Sequence, residues 1–320
     1  MKVRTVLMAA IGLGLAAWLI WRTGPSAVAH SILELGAGGA ALILAFQLAL
    51  AALAGVAWAL LGRGRPDVRL GRFITARLVR DAGAQVLPFT QLAGVAMGAR
   101  SLSLEGVAGD FAVASTLADL TLELTAQVAY LAIGAAILAF AARLEVRLVL
   151  GVVAGLAALT GLFALALRAA PRLASRLAAL APQGWPRRAA DFLSRPGATR
   201  TGASAPTKAV ACLLHLAAWI LTGVQTWIIL RLLRSGVSLG AAIAIDSMAS
   251  GAKALGFLFP AGFGVQEGAL ILFGQLFGVP ASAALALSLI RRGRDVVLAA
   301  PILLIWQLRF GDRVWRIGRS

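Results

Sequence analysis

Carboxylates and guanidinium groups recur inside stretches of this chain that are otherwise apolar, and these are the residues that could do chemistry. Asp119, Glu123 and Gln127 stand at i, i+4 and i+8, which puts all three on one face of a helix. Arg291, Arg292, Arg294 and Asp295 interrupt a second apolar run, and Arg291 and Asp295 are spaced to pair along one helix. Arg80, Asp81, Gln85 and Gln91 mark a third stretch, and Asp246, Lys253, Gln266 and Glu267 a fourth. Each buried charge costs at least about 2.5 kcal/mol on insertion scales unless it is paired or hydrated. The acidic pair at 119 and 123 therefore needs cations. Arg291 and Arg294 are the expected partners, with Arg80 third. Such a set suits a polar groove for a zwitterionic or anionic headgroup. It also suits structural ion pairs that hold a bundle together.

The stretch 257–278, FLFPAGFGVQEGALILFGQLFG, is almost wholly apolar yet broken at Pro260, Gly262 and Gly264. Proline removes a backbone donor and clashes with the preceding turn. A helix must stop near Phe259 and restart near Val265. Non-helical backbone at membrane depth persists only where protein or water covers it. The plainer reading is a surface loop, with Glu267 as a helix N-terminal charge. The stretch 73–99 is built alike, with a break at Pro88 and a nearby Gly94. Restarted helices near Thr90 and Val265 would turn backbone donors toward an anion.

Other chemistries find no support. Gly262-x-Gly264 has no βαβ unit around it, and no P-loop, nucleophile elbow or HExxH occurs. Ser115 shares a face with Asp119 and Glu123, but no histidine lies near in sequence. Cys212 is alone, and His30 and His215 are far apart. We expect no catalytic residues, no metal and no cofactor.

The elements that must position these charges are membrane helices. The 320 residues are 60% hydrophobic and 13% charged, with a mean hydropathy of +0.88, which excludes an ordinary soluble protein. Uncharged runs at 35–62, 124–142, 148–167, 209–230 and 268–290 have the roughly 20 residues that a spanning helix requires. The run 6–21 is read as an uncleaved first span rather than a signal peptide. Thirty Lys and Arg against 13 Asp and Glu give a formal charge of +17. The basic residues sit between apolar runs, so the positive-inside rule accounts for them better than nucleic-acid binding. Arg63, Arg65, Arg69, Arg72 and Arg77 belong to one such segment, and the proline-broken stretch 168–208 is a second.

Both termini and the 168–208 linker are expected in the cytoplasm, with the linker near anionic headgroups. The expected fold class is all-α. It is a polytopic membrane bundle of about six full spans plus two Pro/Gly-broken re-entrant hairpins, 73–99 and 239–278, in inverted repeat. Residues 1–168 form one transmembrane half and 209–320 the other, joined by 169–208.

FPAGFGVQEGAL at 259–270, followed by a small-residue span and Arg291, resembles the transmembrane region of lysylphosphatidylglycerol synthases, a flippase-like membrane family. RLVRDAGAQVLPFTQLAGVAMGARSL at 77–102 and ASTLADLTLELTAQ at 114–127 look like the branch associated with hopanoid biosynthesis. Ala261 and Gln266 depart from the family's pattern, which implies arginine beside the glutamate. The resemblance implies a bacterial inner-membrane protein that handles lipids between leaflets. The soluble aminoacyl-transferase domain of some relatives finds no counterpart in these 320 residues, so lysyl transfer is not expected. The leading expectation is translocation or binding of a polar lipid. Asp119, Glu123, Gln127, Gln266, Glu267, Arg291, Arg294 and Arg80 would line the groove. A scaffold for lipid-synthesis enzymes and an integral lipid-modifying transferase are the alternatives.

Overall fold

The computed structural model describes residues 35–86, 90–142, 201–255 and 265–315, with isolated positions at 151, 154, 155, 161 and 165. The described residues form helices and no strand. In chain order the helices are α1 (Gly36–Leu60), α2 (Leu70–Val86), α3 (Thr90–Leu104) and α4 (Gly109–Ala142), then α5 (Ala205–Leu232), α6 (Leu239–Leu255), α7 (Val265–Leu276) and α8 (Ala281–Trp315). Each set of four runs long, short, short, long.

Local sequence explains the ends. Ser204 caps α5, its hydroxyl accepting the Thr207 N–H at 3.3 Å, and Pro206 sits in the first turn, where its missing donor is harmless. Helix α7 ends at Leu276, and Gly278, with a φ of +76°, lets the Val279 N–H turn back to the Gly274 carbonyl at 2.9 Å. Between α1 and α2, the Asp67 carboxylate takes the Arg65 guanidinium at 3.0 Å and the Ala108 N–H at 3.1 Å. These donors hold its carboxyl below the usual carboxylate range. The loop is thereby tied to the start of α4.

Helices α1, α4 and α5 are long and apolar enough to cross a membrane. Only about a third of each apolar window is buried, so the remaining apolar surface needs lipid around it. Helix α8 is equally long, but Arg291, Arg292, Arg294 and Asp295 interrupt its apolar run. It continues through Pro301, and Val296, Val297, Leu304, Ile305 and Leu308 are exposed on it. The expected spans at 6–21 and 148–167, apart from the isolated positions, lie outside the described residues. So do most of the linker and Pro88, Pro260, Gly262 and Gly264. Helix is described up to Val86 and Leu255 and again from Thr90 and Val265.

Two apolar clusters serve the two sets. Trp58, Phe73, Leu102 and Phe111 join α1 to α4, with Trp58 edge-on to Phe73 at 5.6 Å. Ile229, Ile245, Leu270 and Leu287 join α5 to α8. The sets then interlock, because α4 packs against α6, α2 against α8, and α1 against α5.

Helices α2 and α3 pack side by side through small residues. A Cβ on Gly94 would lie 2.5 Å from the Arg80 carbonyl oxygen and 2.9 Å from the Ala84 nitrogen, atoms that cannot rotate away. Gly94→Val should therefore destabilise the protein by about 1–3 kcal/mol through overpacking. Gly38→Val, which meets nothing within 4 Å, is the control. A thermal melt of the two variants in detergent checks this. Equal midpoints would show that α2 and α3 can separate freely.

Candidate functional site

Helix α2 brings two arginines to the acidic face of α4. Arg80 places Nη1 2.8 Å from Asp119 Oδ2 and Nη2 2.6 Å from Glu123 Oε2. Arg77 grips the same Glu123 from the other side, with Nη2 at 2.6 Å and Nη1 at 3.1 Å, and its Nε reaches Asp81 at 2.9 Å. Paired donors on a carboxylate are the geometry in which arginine binds most strongly. Helix α5 adds His215, whose Nε2 lies 2.9 Å from Asp119 Oδ1, and Trp219, whose indole N–H donates to the Glu123 carbonyl at 3.3 Å. Asp119 is fully buried, and His215 and Arg80 nearly so. With His215 neutral, two arginines face three carboxylates, so this cluster carries a formal charge of −1.

The second cluster centres on Asp246 of α6, which is also fully buried. Tyr130 of α4 and Thr222 of α5 each place a hydroxyl 2.8 Å from Oδ2. Thr226 donates to Oδ1 at 3.1 Å, and Arg291 of α8 pairs with that same oxygen. One turn on, Arg294 binds Gln225 and pairs with Asp295 at 2.7 Å, while the Gln225 amide donates to the Ile43 carbonyl of α1 at 3.1 Å. Glu267 of α7 is held by Arg292 at 2.6 Å and by the Ser288 hydroxyl at 3.2 Å.

The last long helix of each set therefore pairs with the first short helix of that set, with the charges exchanged. Helix α2 is basic against acidic α4, and α6 is acidic against basic α8. This corrects the expected partnership of Asp119 and Glu123 with Arg291 and Arg294. The cations that meet α4 are Arg77 and Arg80 of α2, because α8 presents its arginines to Asp246, Glu267, Gln225 and Asp295 instead. It also corrects Arg77, which the positive-inside count had placed with the loop arginines. Arg77 is 8% exposed and belongs to the buried network. Arg291 and Asp295 do not pair with each other as their spacing allowed.

Of the expected site residues, Asp119, Glu123 and Arg80 form one cluster, and Glu267, Arg291 and Arg294 belong to the other. Gln127 and Gln266 are partly exposed and make none of these bonds. Gly94 is a packing contact. Sequence reasoning missed His215, Trp219, Thr222 and Thr226. They stand at i, i+4, i+7 and i+11 and so share one face of α5.

That face links the two clusters. On α4, Asp119, Glu123 and Tyr130 repeat the same i, i+4, i+11 spacing, and the Tyr130 and Trp219 rings stack with centroids 5.9 Å apart. Eleven residues at 1.5 Å each make a polar strip about 16 Å long between α4 and α5. It leads from the arginines of α2 to those of α8. Among the described residues no group of three metal-ligating side chains occurs.

The family model described as the lysylphosphatidylglycerol synthase TM region matches residues 6–302. No curated protein matches the chain.

Proposed function

We propose that this chain, which belongs to the family of the lysylphosphatidylglycerol synthase TM region, moves a polar lipid between leaflets. The family supports a membrane protein related to lipid handling. The observation that carries the finer reading is the polar strip on α4 and α5, with a charge cluster at each end. A headgroup crossing a bilayer needs polar partners over much of a hydrocarbon core roughly 30 Å thick. The strip supplies about 16 Å of them by helical rise. The lipid tails stay in the bilayer against the exposed apolar faces.

In this reading the helix pairs α2–α3 and α6–α7 are re-entrant hairpins of an inverted repeat. The matching order of helix lengths in the two sets, and the charge exchange between them, support that arrangement. Alternating access is rocking of one set against the other. The clusters are closed in this state, so passage requires Arg80 or Arg291 to trade a carboxylate for the headgroup. The substrate is a hopanoid or a related polar lipid, as the resemblance at 77–102 and 114–127 suggests. The protein sits in the inner membrane with both termini and the linker in the cytoplasm, and it carries out no covalent chemistry.

The Asp246 carboxylate favours a second reading. Three hydroxyls, of Tyr130, Thr222 and Thr226, and the Arg291 guanidinium already surround it, which is what a structural ion pair in a scaffold for lipid-synthesis enzymes would show.

Reconstitution into vesicles tests transport. A fluorescent headgroup-labelled lipid in the outer leaflet should move inward with the native protein and not with Glu267→Gln or Arg291→Ala, provided these insert and purify. Full exchange by both variants would refute the groove.

A further inference from the structure

A furrow runs along the contact of α2 with α8, at the arginine-rich start of α2. Its open part is a cavity of about 780 Å³ lined by Arg69, Arg72, Thr75, Glu105, Arg309 and Phe310. A narrower cavity of about 160 Å³ continues it, sharing Thr75, Arg309 and Phe310, with walls of Leu78, Val79, Ile302, Ile305 and Trp306. The open part is basic. Among the described residues three guanidinium groups face one carboxylate, a formal +2; Glu105 pairs with Arg309 at 3.2 Å, and Arg72 donates to the Asp67 carbonyl at 3.0 Å. Beyond the shared Thr75 and Arg309, the narrow part is apolar but for the Trp306 indole nitrogen. That residue is 8% exposed, and its indole N–H has no acceptor among the described residues. A buried donor without a partner is costly, and native proteins rarely leave one.

We propose that this furrow binds one anionic phospholipid. Its phosphate lies among Arg69, Arg72 and Arg309, and one acyl chain follows the apolar continuation. A carbonyl at the head–tail junction accepts from Trp306. Basic pockets between transmembrane helices hold anionic headgroups by this chemistry. The apolar extension is what distinguishes a lipid from a free phosphate. The site shares no residue with the clusters around Asp119 and Asp246, so it stands whether or not the chain moves lipid across the membrane.

Native mass spectrometry of the full chain in a neutral detergent tests it, with dioleoylphosphatidylglycerol, dioleoylphosphatidylcholine or inorganic phosphate added. One phosphatidylglycerol should be retained in preference to phosphatidylcholine, and excess inorganic phosphate should not displace it. Arg69→Ala combined with Arg309→Ala should weaken retention roughly tenfold or more, since two charge-assisted contacts are lost. Both arginines are exposed. Ile302→Trp, which fills the furrow, should weaken it as well. Arg63→Ala, outside the furrow, should not. Equal retention of the two lipids would overturn the proposal, as would indifference to both furrow changes. Displacement by inorganic phosphate would identify a free-anion site and overturn it too.

Discussion

Arg80→Met is expected to destabilise the protein by about 3–5 kcal/mol, the range for breaking a buried ion pair from one side. Among the described residues only Arg80 has one guanidinium nitrogen within 3 Å of Asp119 and another within 3 Å of Glu123. Methionine keeps much of the apolar stem and loses the head. Asp119 is then left with His215 and a more distant Arg77, whose Nη1 is 3.7 Å away. A fully buried carboxylate cannot call on water to replace what it lost. Arg80→Lys should recover only part of the loss, because a single ammonium serves one carboxylate well and not two at once. Thermal unfolding in detergent reads the series, with Arg63→Met as the exposed control. A wild-type midpoint for Arg80→Met would mean that the cluster contributes nothing to holding α2 against α4.

Particular residues show how much of this was legible in the sequence. The helical class and the positions of α1, α4 and α5 follow from apolar length alone, which needs no tertiary information. Asp119 and Glu123 announced themselves as charges in an apolar run. Their partners did not. Arg77 and Arg80 differ from Arg69 and Arg72 only by about two turns of helix. Which turn enters the bundle is decided by how α2 lies against α1, α3 and α8. His215 looked isolated because its partner is 96 positions away. Threonine and tryptophan raise no alarm in an apolar helix, so the α5 strip emerges only when their spacing is counted. The exchange of charge between the two sets was out of reach for a different reason. It depends on α6 and α8 facing each other, and a sequence does not state which faces meet.

The strip can serve a moving headgroup or only brace the bundle, and a charge-neutral double substitution separates the two roles. Asp246→Asn with Arg291→Gln removes both charges while leaving a hydrogen-bonding amide at each position, isosteric at 246 and shorter at 291. Each single change strands a buried charge. Arg291→Gln leaves Asp246 with three hydroxyls and no cation, and Asp246→Asn leaves Arg291 without its acid. Both singles should therefore fall well below the native midpoint. The pair should recover to within about 1 kcal/mol, because replacing a buried ion pair as a unit is often neutral for stability. Tyr130, Thr222 and Thr226 can still bond the new amide. Lipid exchange should not recover. A neutral amide cannot attract an ionic headgroup away from water, and the strip would end about where α8 begins to contribute. The expected result in reconstituted vesicles is a double variant that is folded and monodisperse, with exchange reduced at least tenfold. If it exchanges lipid at the native rate, the charges at Asp246 and Arg291 are braces, and the scaffold reading replaces transport.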